Sequence, residues 1–491
     1  NNFQDFAQGL PSKVNNKDAR KLFNDVRKGM GLKEEKFFKR HLQLESVSQN
    51  RESYIRGDLY KVDDEVVILD MGLTMDNFVN YQNTRGLIQE ERPSRLNYAE
   101  LLRVDAVPDF YHIQDLHKNV KAVIPSHAHL DHVGAVAYGM KFFKNIPVIA
   151  TPYTIAFIKQ DLRNQRYDRT FANNGINLIE VDLNKSYKVT DKITVEFIHV
   201  THSVPDSAIL AIHTPYGVVM YAVDYKFDEH PQIGQTPNYT RLKELGKEGV
   251  KCLILESLYA DYDIETPSEQ DVKDELYNVL EGLDAKGKTI FSSTFSSHVV
   301  RLKTLIEAGQ SLGRKVCLVG SSLELHTSIS KKLSKLHLPR EIEIVKRRDD
   351  VAKLLSEVSE NRGDYFLICT GHQGEAGSVL SKIADGFYGF TPEEQDIIIF
   401  SSSVIPTETN QKSFKILEDK LIDLNLNIIK DIHASGHAGL RDHEKMLNMI
   451  KPEIIIPAHA GHDKAKYIKE LSEKTGIGNA VLVSNYQKVR I

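Results

Sequence analysis

The sequence is poor in cysteine. Among its 491 residues only Cys252, Cys317 and Cys369 occur, each in or beside an apolar run and none in a Cys-x-x-Cys pair. That argues against a disulfide framework and against a thiolate-built zinc site; such thiols read as small buried residues in a reducing compartment. No apolar run approaches the ~18 residues of a membrane span, and no signal-peptide pattern opens the chain. The expected setting is therefore the cytoplasm, with no membrane partner. Positive charge is not in excess either: 63 Lys and Arg against 67 Asp and Glu give a formal net charge of −4. A protein held to nucleic acid by bulk electrostatics is usually basic. An anionic substrate would have to be met by charge local to one groove, part of it brought by bound cations. Internal repeats and low-complexity linkers are missing as well.

What is present is the composition of a globular protein, 41% hydrophobic and 26% charged, with length for two or three domains. Residues 1–35 read as an N-terminal extension, in which Leu22, Phe23, Val26 and Met30 recur at helical spacing. From about residue 55 the pattern changes to short strand-like runs, such as Val66–Leu69, Ala122–Ile124, Val148–Ala150, Ile193–Ile198 and Val218–Val223, with few helices between them. This predicts a sheet-on-sheet core over residues 36–250. After residue 250 strands at Leu253–Leu255, Thr289–Phe291, Val316–Val319 and Phe366–Ile368 alternate with helices, one of them started by Thr266-Pro267-Ser268-Glu269. That rhythm predicts a separate α/β domain over 251–400 with a largely parallel sheet. Strands at Ile397–Phe400, Ile428–Ile429, Ile454–Ile456 and Val481–Val483 follow, and residues 401–491 are expected to return to the first domain.

The strongest chemical signal is Ser126-His127-Ala128-His129-Leu130-Asp131-His132, which packs three histidines and a carboxylate into one loop after an apolar run. Imidazole and carboxylate suit Zn²⁺ and related divalent ions. His127 and His129 alternate and can reach one metal, Asp131 and His132 a second. The plain alternative is a set of surface or capping histidines, but burying four such groups without a cation is costly.

The pattern His-x-His-x-Asp-His resembles the metallo-β-lactamase superfamily. The resemblance implies an α/β fold, an αββα sandwich with metals at one edge, and further ligands at His202, Asp224 and His459, each closely following a strand-like run. One metal would then be held by His127, His129, His202 and Asp224, the other by Asp131, His132, Asp224 and His459. Asp70 resembles the aspartate that orients ligands from behind. The two ions would be zinc, with manganese as the alternative. Two such cations clamp the attacking and leaving oxygens of an in-line displacement. Asp131 is the candidate to orient the attacking water, and His437 the candidate to stabilise or protonate the leaving oxygen.

Four more stretches resemble the β-CASP branch of nucleases, and specifically the ribonuclease J family of the shorter archaeal type: Leu255-Glu256-Ser257, Thr370-Gly371-His372-Gln373-Gly374-Glu375, Ser401-Ser402-Ser403-Val404-Ile405-Pro406 and His433-Ala434-Ser435-Gly436-His437-Ala438. The resemblance implies an inserted α/β β-CASP domain, a homodimer and single-stranded RNA as partner. The implied activity is hydrolysis from a 5′-monophosphate end, 5′→3′, with endonucleolytic cuts as an additional activity. It assigns Glu256 to the catalytic set. To the RNA backbone and terminal phosphate it assigns Gly371, His372, Gln373, Ser401, Ser402, Ser403, His433, Ser435 and His437, together with Ser296 and Arg301 from the stretch Thr294–Arg301, a solvated helix arginine being the plain alternative for Arg301. This sequence departs from the family at His372, where a serine is usual, at Ala460-Gly461, where a glutamate is lost, and at Ser46–Glu52, where a glycine-rich stretch is usual. The competing classes are another β-CASP nuclease (an RNA 3′-processing endonuclease or a DNA nuclease), a small-molecule hydrolase and a non-enzymatic scaffold. The insertion over 250–400 argues against the small-molecule hydrolase. Retention of every ligand argues against the scaffold.

Overall fold

A computed structural model describes residues 43–46, 58–88, 97–143, 145–164, 175–484 and 487–491. The expected helix within residues 1–35 and most of the stretch after Ser46 lie outside the described residues. Among the described residues the chain forms three sheets. The first has seven strands, with Glu65–Leu69, Val120–Ile124 and Val148–Ala150 side by side at its centre. The second also has seven, with Ile454–Ala458, Val250–Glu256, Gly217–Ala222, Ala208–Thr214 and Thr194–His199 as successive neighbours.

Side-chain alternation builds the layers, because successive residues of a strand point to opposite faces. Val67, Leu69, Ala122 and Ile124 of the first sheet pack with Phe197, Leu210, Val219, Tyr221 and Ile254 of the second. Their neighbours Val66, Ile68 and Val123 face outward onto Leu101, Phe110, Tyr153 and Phe157. On the outside of the second sheet, Ile198, Ile209 and Leu253 meet Leu242, Leu245, Met446, Leu447 and Ile468. These come from the helices Tyr239–Glu248, Leu440–Ile450 and His462–Thr475. The result is a helix–sheet–sheet–helix sandwich.

The third sheet has six strands, all parallel: Glu343–Val345, Lys315–Val319, Tyr365–Cys369, Ile290–Ser293, Ile397–Phe400 and Asn427–Ile429, in that spatial order. Two separate cores cover its faces, as a parallel sheet requires. Its link to the sandwich includes the helix Glu269–Glu281, which Ser268 caps in a reciprocal box with Asp271.

Three sequence expectations are corrected. The run at Leu253–Leu255 does not begin the third sheet; it lies in the sandwich, paired in parallel with both Gly217–Ala222 and Ile454–Ala458. A short apolar run fits any central parallel strand, so periodicity could not assign its sheet. The strand Asn427–Ile429 belongs to the third sheet, so the limit drawn at residue 400 falls inside that sheet's strand set. Val481–Val483 is not a strand; the sheet edge is made by Asn479–Ala480, and Val481 adds one bond to Ile455. Cys252, Cys317 and Cys369 are free and buried. Among the described residues no helix is long and apolar enough to cross a membrane.

Candidate metal centre and nuclease site

The polar residues of the sandwich collect where its strands end. From the first sheet, Asp70 follows Glu65–Leu69, and the loop carrying His127, His129, Asp131 and His132 follows Val120–Ile124. From the second, His202, Asp224 and His459 closely follow Thr194–His199, Gly217–Ala222 and Ile454–Ala458, and Glu256 ends its own strand. Asp70, Asp224 and His459 hold left-handed backbone, with φ of 60°, 51° and 63°. Non-glycine residues keep such angles only where the surroundings over-determine them. Gly72 leaves room for the histidine loop, since a Cβ there would lie 1.6 Å from the Asp131 carbonyl oxygen.

The arrangement fits a divalent cation. His127, His129, His202 and Asp224 each place a ligand atom within 4.8 Å of the others, and so do Asp131, His132, Asp224 and His459. In the first group His127 Nε2 and His202 Nε2 stand 3.0 and 3.1 Å from His129 Nδ1. His202 Nδ1–H donates to the Gly436 carbonyl at 2.6 Å, which leaves a lone pair on its Nε2. Ser126 Oγ donates to Asp70 and accepts from His127 Nδ1–H at 3.0 Å, which leaves a lone pair on His127 Nε2 as well. Two lone pairs and the Asp224 carboxylate, 3.4 and 3.7 Å from them, then face one imidazole nitrogen. A cation among them resolves this. Burial, reinforced by neighbouring imidazoles, holds His129 and His202 well below the ordinary histidine range. They are therefore neutral, as ligands must be.

In the second group His132 Nδ1–H donates to Asp70 Oδ2 at 2.5 Å, so its Nε2 lone pair points at Asp224 Oδ2, 3.0 Å away. His459 Nε2 is 2.9 Å from Asp224 Oδ1. Asp131 Oδ2 sits 3.9 and 4.0 Å from the His132 and His459 nitrogens and is the more exposed carboxylate. Asp224 thus lies between both groups. Behind them, fully buried Asp70 accepts from Ser126 N–H, Ser126 Oγ–H, His132 Nδ1–H and Tyr221 O–H, which fixes the tautomer and aim of the ligands.

Beside the second group, His437 Nδ1 is 2.7 Å from Glu256 Oε2, and Ser435 Oγ accepts from the His437 backbone N–H. Burial raises the Glu256 carboxyl, and the His437 ring acts against that rise.

The third sheet brings further expected residues alongside. Its loops after Ile290–Ser293, Tyr365–Cys369 and Ile397–Phe400 all lie at the carboxyl ends of parallel strands, where open α/β sheets present ligand sites. The first of these loops reaches the metal cluster, because Ser297 Oγ is 3.1 Å from His129 Nε2. It also carries half-buried Ser296, and Phe295, whose ring lies 4.0 Å from that of His372. His372 Nε2 and Ser402 Oγ are buried and have no hydrogen-bond partner among the described residues. Gly371 and Gly374 have φ of 126° and 75°, and a Cβ on Gly374 would meet the Ser413 carbonyl at 2.3 Å.

Other members of the expected binding set are turned inward, and these are corrections. Arg301 is fully buried. Its guanidinium forks onto Glu269 and donates to the carbonyls of Ser401, Ile432 and Ala434, so it cannot reach a phosphate. Ser401 Oγ accepts from Arg301 and donates to the Ile432 carbonyl. The Gln373 amide donates to the Ser403 carbonyl and accepts from Ile405 N–H, so it braces the 403–405 loop. His433 lies 3.4 Å from Arg301; burial and that guanidinium push its ring down to about 2.

Sequence reasoning missed Glu269, which receives Arg301, Lys226 and His298 together. In the sequence it is only the first residue of a capped helix. It also missed Ser126, Ser297 and Tyr221, whose residue types carry no signal outside this packing.

Three family models match the chain: the ribonuclease J beta-CASP domain over residues 286–420, the Zn-dependent metallo-hydrolase RNA specificity domain over 421–483, and the beta-lactamase superfamily domain over 102–259. The chain is 38% identical to ribonuclease J of Pyrococcus abyssi over 426 residues, 86% of this chain and 90% of that protein. It is 36% identical to ribonuclease J of Methanocaldococcus jannaschii over 418 residues, 84% of this chain and 90% of that one. Against ribonuclease J 1 of Streptococcus pyogenes the identity is 32% over 77% of this chain and 65% of the other. Among solved structures, a protein of unknown function from Enterococcus faecalis superposes with a TM-score of 0.60 at 16% identity, covering 92% of this chain and 100% of that one. That likeness concerns the fold.

Proposed function

The chain belongs to the ribonuclease J family, and from that premise we propose that it degrades RNA mainly 5′→3′ from a 5′-monophosphate end, with endonucleolytic cleavage as a secondary activity. It is a metal-dependent, RNA-binding hydrolase. We further assign two divalent ions to the two ligand groups that share Asp224, with zinc as the metal.

When bound, the cations supply the charge neutralisation that an anionic phosphodiester needs before a water can attack it. The protein does the rest by position. Asp131 is set to orient the attacking water by accepting its proton's hydrogen bond. His437, steadied by Glu256, is set to donate a proton to the departing oxygen.

One observation carries the preference for an end. The loop that touches the metal cluster through Ser297 also packs Phe295 on His372, whose buried Nε2, like Ser402 Oγ, is without a hydrogen-bond partner among the described residues. Buried polar atoms are normally hydrogen-bonded; here they suit the oxygens of a terminal phosphate held at a set distance from the cut. The test compares 5′-monophosphate, 5′-triphosphate and 5′-hydroxyl forms of one RNA. Release of mononucleotides chiefly from the monophosphate form is expected. Internal cuts indifferent to the 5′ group would instead favour another kind of β-CASP nuclease. The homodimer implied by the family stands as a proposal that sedimentation checks.

A further inference from the structure

Residues Tyr259–Ile264 follow the strand that ends in Glu256, and the neighbouring chain holds them beside the nuclease site. Tyr259 forms a parallel bridge with Gly439, Leu440 N–H donates to the Tyr262 carbonyl, and Arg441 N–H to the Ile264 carbonyl. Gly439 permits this approach, since a Cβ there would stand 2.4 Å from the Ile264 carbonyl oxygen. The segment is therefore tied to the same stretch that carries His437.

Its rings lead outward from the site. The Tyr259 ring centroid is 5.9 Å from that of His437, and Tyr262 meets Tyr259 edge-on at 5.5 Å. Tyr262 is 50% exposed and Ile264 48%. Lys464 lies over the Tyr262 ring, with Nζ 5.5 Å from its centroid and paired with Asp261, and exposed Arg441 pairs with Asp263. Nothing in the metal chemistry uses these groups. The local charges thus balance, and what the patch offers is an open aromatic ring, continuous with the nuclease site and with a cation beside it, which has the composition of a platform on which a nucleic-acid base stacks.

We propose that Tyr262, backed by Tyr259 and Lys464, is a base-stacking subsite for an unpaired nucleotide of the RNA next to the scissile bond. The inference rests on the ribonuclease reading. The subsite takes any base, since every base has a π-face, and requires that nucleotide to be single-stranded. It gives a net-acidic protein a local grip on RNA that bulk charge does not supply.

The test uses the metal-loaded full chain and a 5′-monophosphorylated oligoribonucleotide, intact or carrying one abasic nucleotide at successive positions around the cut. Tyr262→Ala should raise KM for intact RNA by about five- to a hundredfold, the range seen when a stacking ring is removed. Tyr262→Phe should restore it. One abasic position should impose a similar penalty on the wild type and little further penalty on Tyr262→Ala. Wild-type cleavage with Tyr262→Ala within twofold in KM overturns the platform alone, as does a full, independent abasic penalty at every position in the variant. A wild-type protein that leaves RNA uncut overturns the ribonuclease reading and the platform together.

Discussion

Arg301 grips Glu269 with two parallel bonds, Nε to Oε2 at 3.0 Å and Nη2 to Oε1 at 3.1 Å, in a place where neither side chain meets water. Lys226 Nζ adds a third contact to Glu269 at 3.0 Å. Through its remaining donors Arg301 holds the carbonyls of Ile432 and Ala434, so the pair sets the course of the segment that delivers Gly436 to His202 and His437 to Glu256. A planar fork suits such a junction, and a lysine would not reproduce it.

Removing one member of this pair should therefore cost stability. Glu269→Gln leaves buried Arg301 without its counter-charge and Lys226 with Asp228 alone, and a loss of about 3–5 kcal/mol is expected in urea unfolding. Burial by itself raises the Glu269 carboxyl, but Arg301, His298 and Lys226 outweigh it and hold the group well below the usual range. The folded-state value is depressed, so the stabilisation is present above the unfolded carboxylate pKa. It is lost as pH falls through the folded value. The gap between wild type and Glu269→Gln should narrow on acidification; a gap constant down to acid unfolding would contradict the pairing.

His129→Ala should abolish RNA cleavage while leaving the circular dichroism spectrum unchanged, with bound divalent metal reduced on elemental analysis. His129 stands where three ring nitrogens converge. Its loss opens one ligand group without touching the sandwich core. Residual activity near wild type would count against the whole site.

Asp70→Ala removes an acceptor from Ser126, His132 and Tyr221 without removing a ligand. Supporting groups of this kind are worth about 10–100-fold in metal affinity or activity. The expected result is weaker retention of metal against a chelator, with RNA cleavage recovered in excess metal.

His437→Ala should lower kcat by about 10²–10⁴-fold, the usual contribution of a general acid. The loss should shrink on RNA whose leaving oxygen is replaced by a bridging sulfur, which departs without needing a proton. Glu256→Gln should also lower kcat, because Glu256 Oε2 lies 2.7 Å from His437 Nδ1. An equal loss on both substrates would remove His437 from the proton transfer.

Stripping the metal should lower thermal stability as well as activity. Lone pairs of His127, His202 and His132 then face Asp224 without a cation between them. A ligand present at a thousand times its Kd stabilises by about 4 kcal/mol, which scanning fluorimetry with and without chelator resolves. An unchanged midpoint would mean that no tightly held ion was present.

The sequence by itself named the groups that gather in the candidate metal centre and the order in which the chain supplies them. Several of the ligands crowd one loop, the rest follow apolar runs, and strand ends are where a sandwich can gather them. Tertiary structure decided which polar residues remain free to meet a substrate. Arg301, Ser401 and Gln373 read as phosphate contacts until packing turns them onto Glu269 and onto backbone carbonyls from far along the chain. Strand ends also looked alike in sequence, and only hydrogen-bond pairing put Val250–Glu256 in the sandwich and Asn427–Ile429 in the third sheet. The physical reason is common to both cases. Coordinating chemistry belongs to a side chain's own atoms, whereas the fate of a charge or a strand depends on partners that only folding brings near.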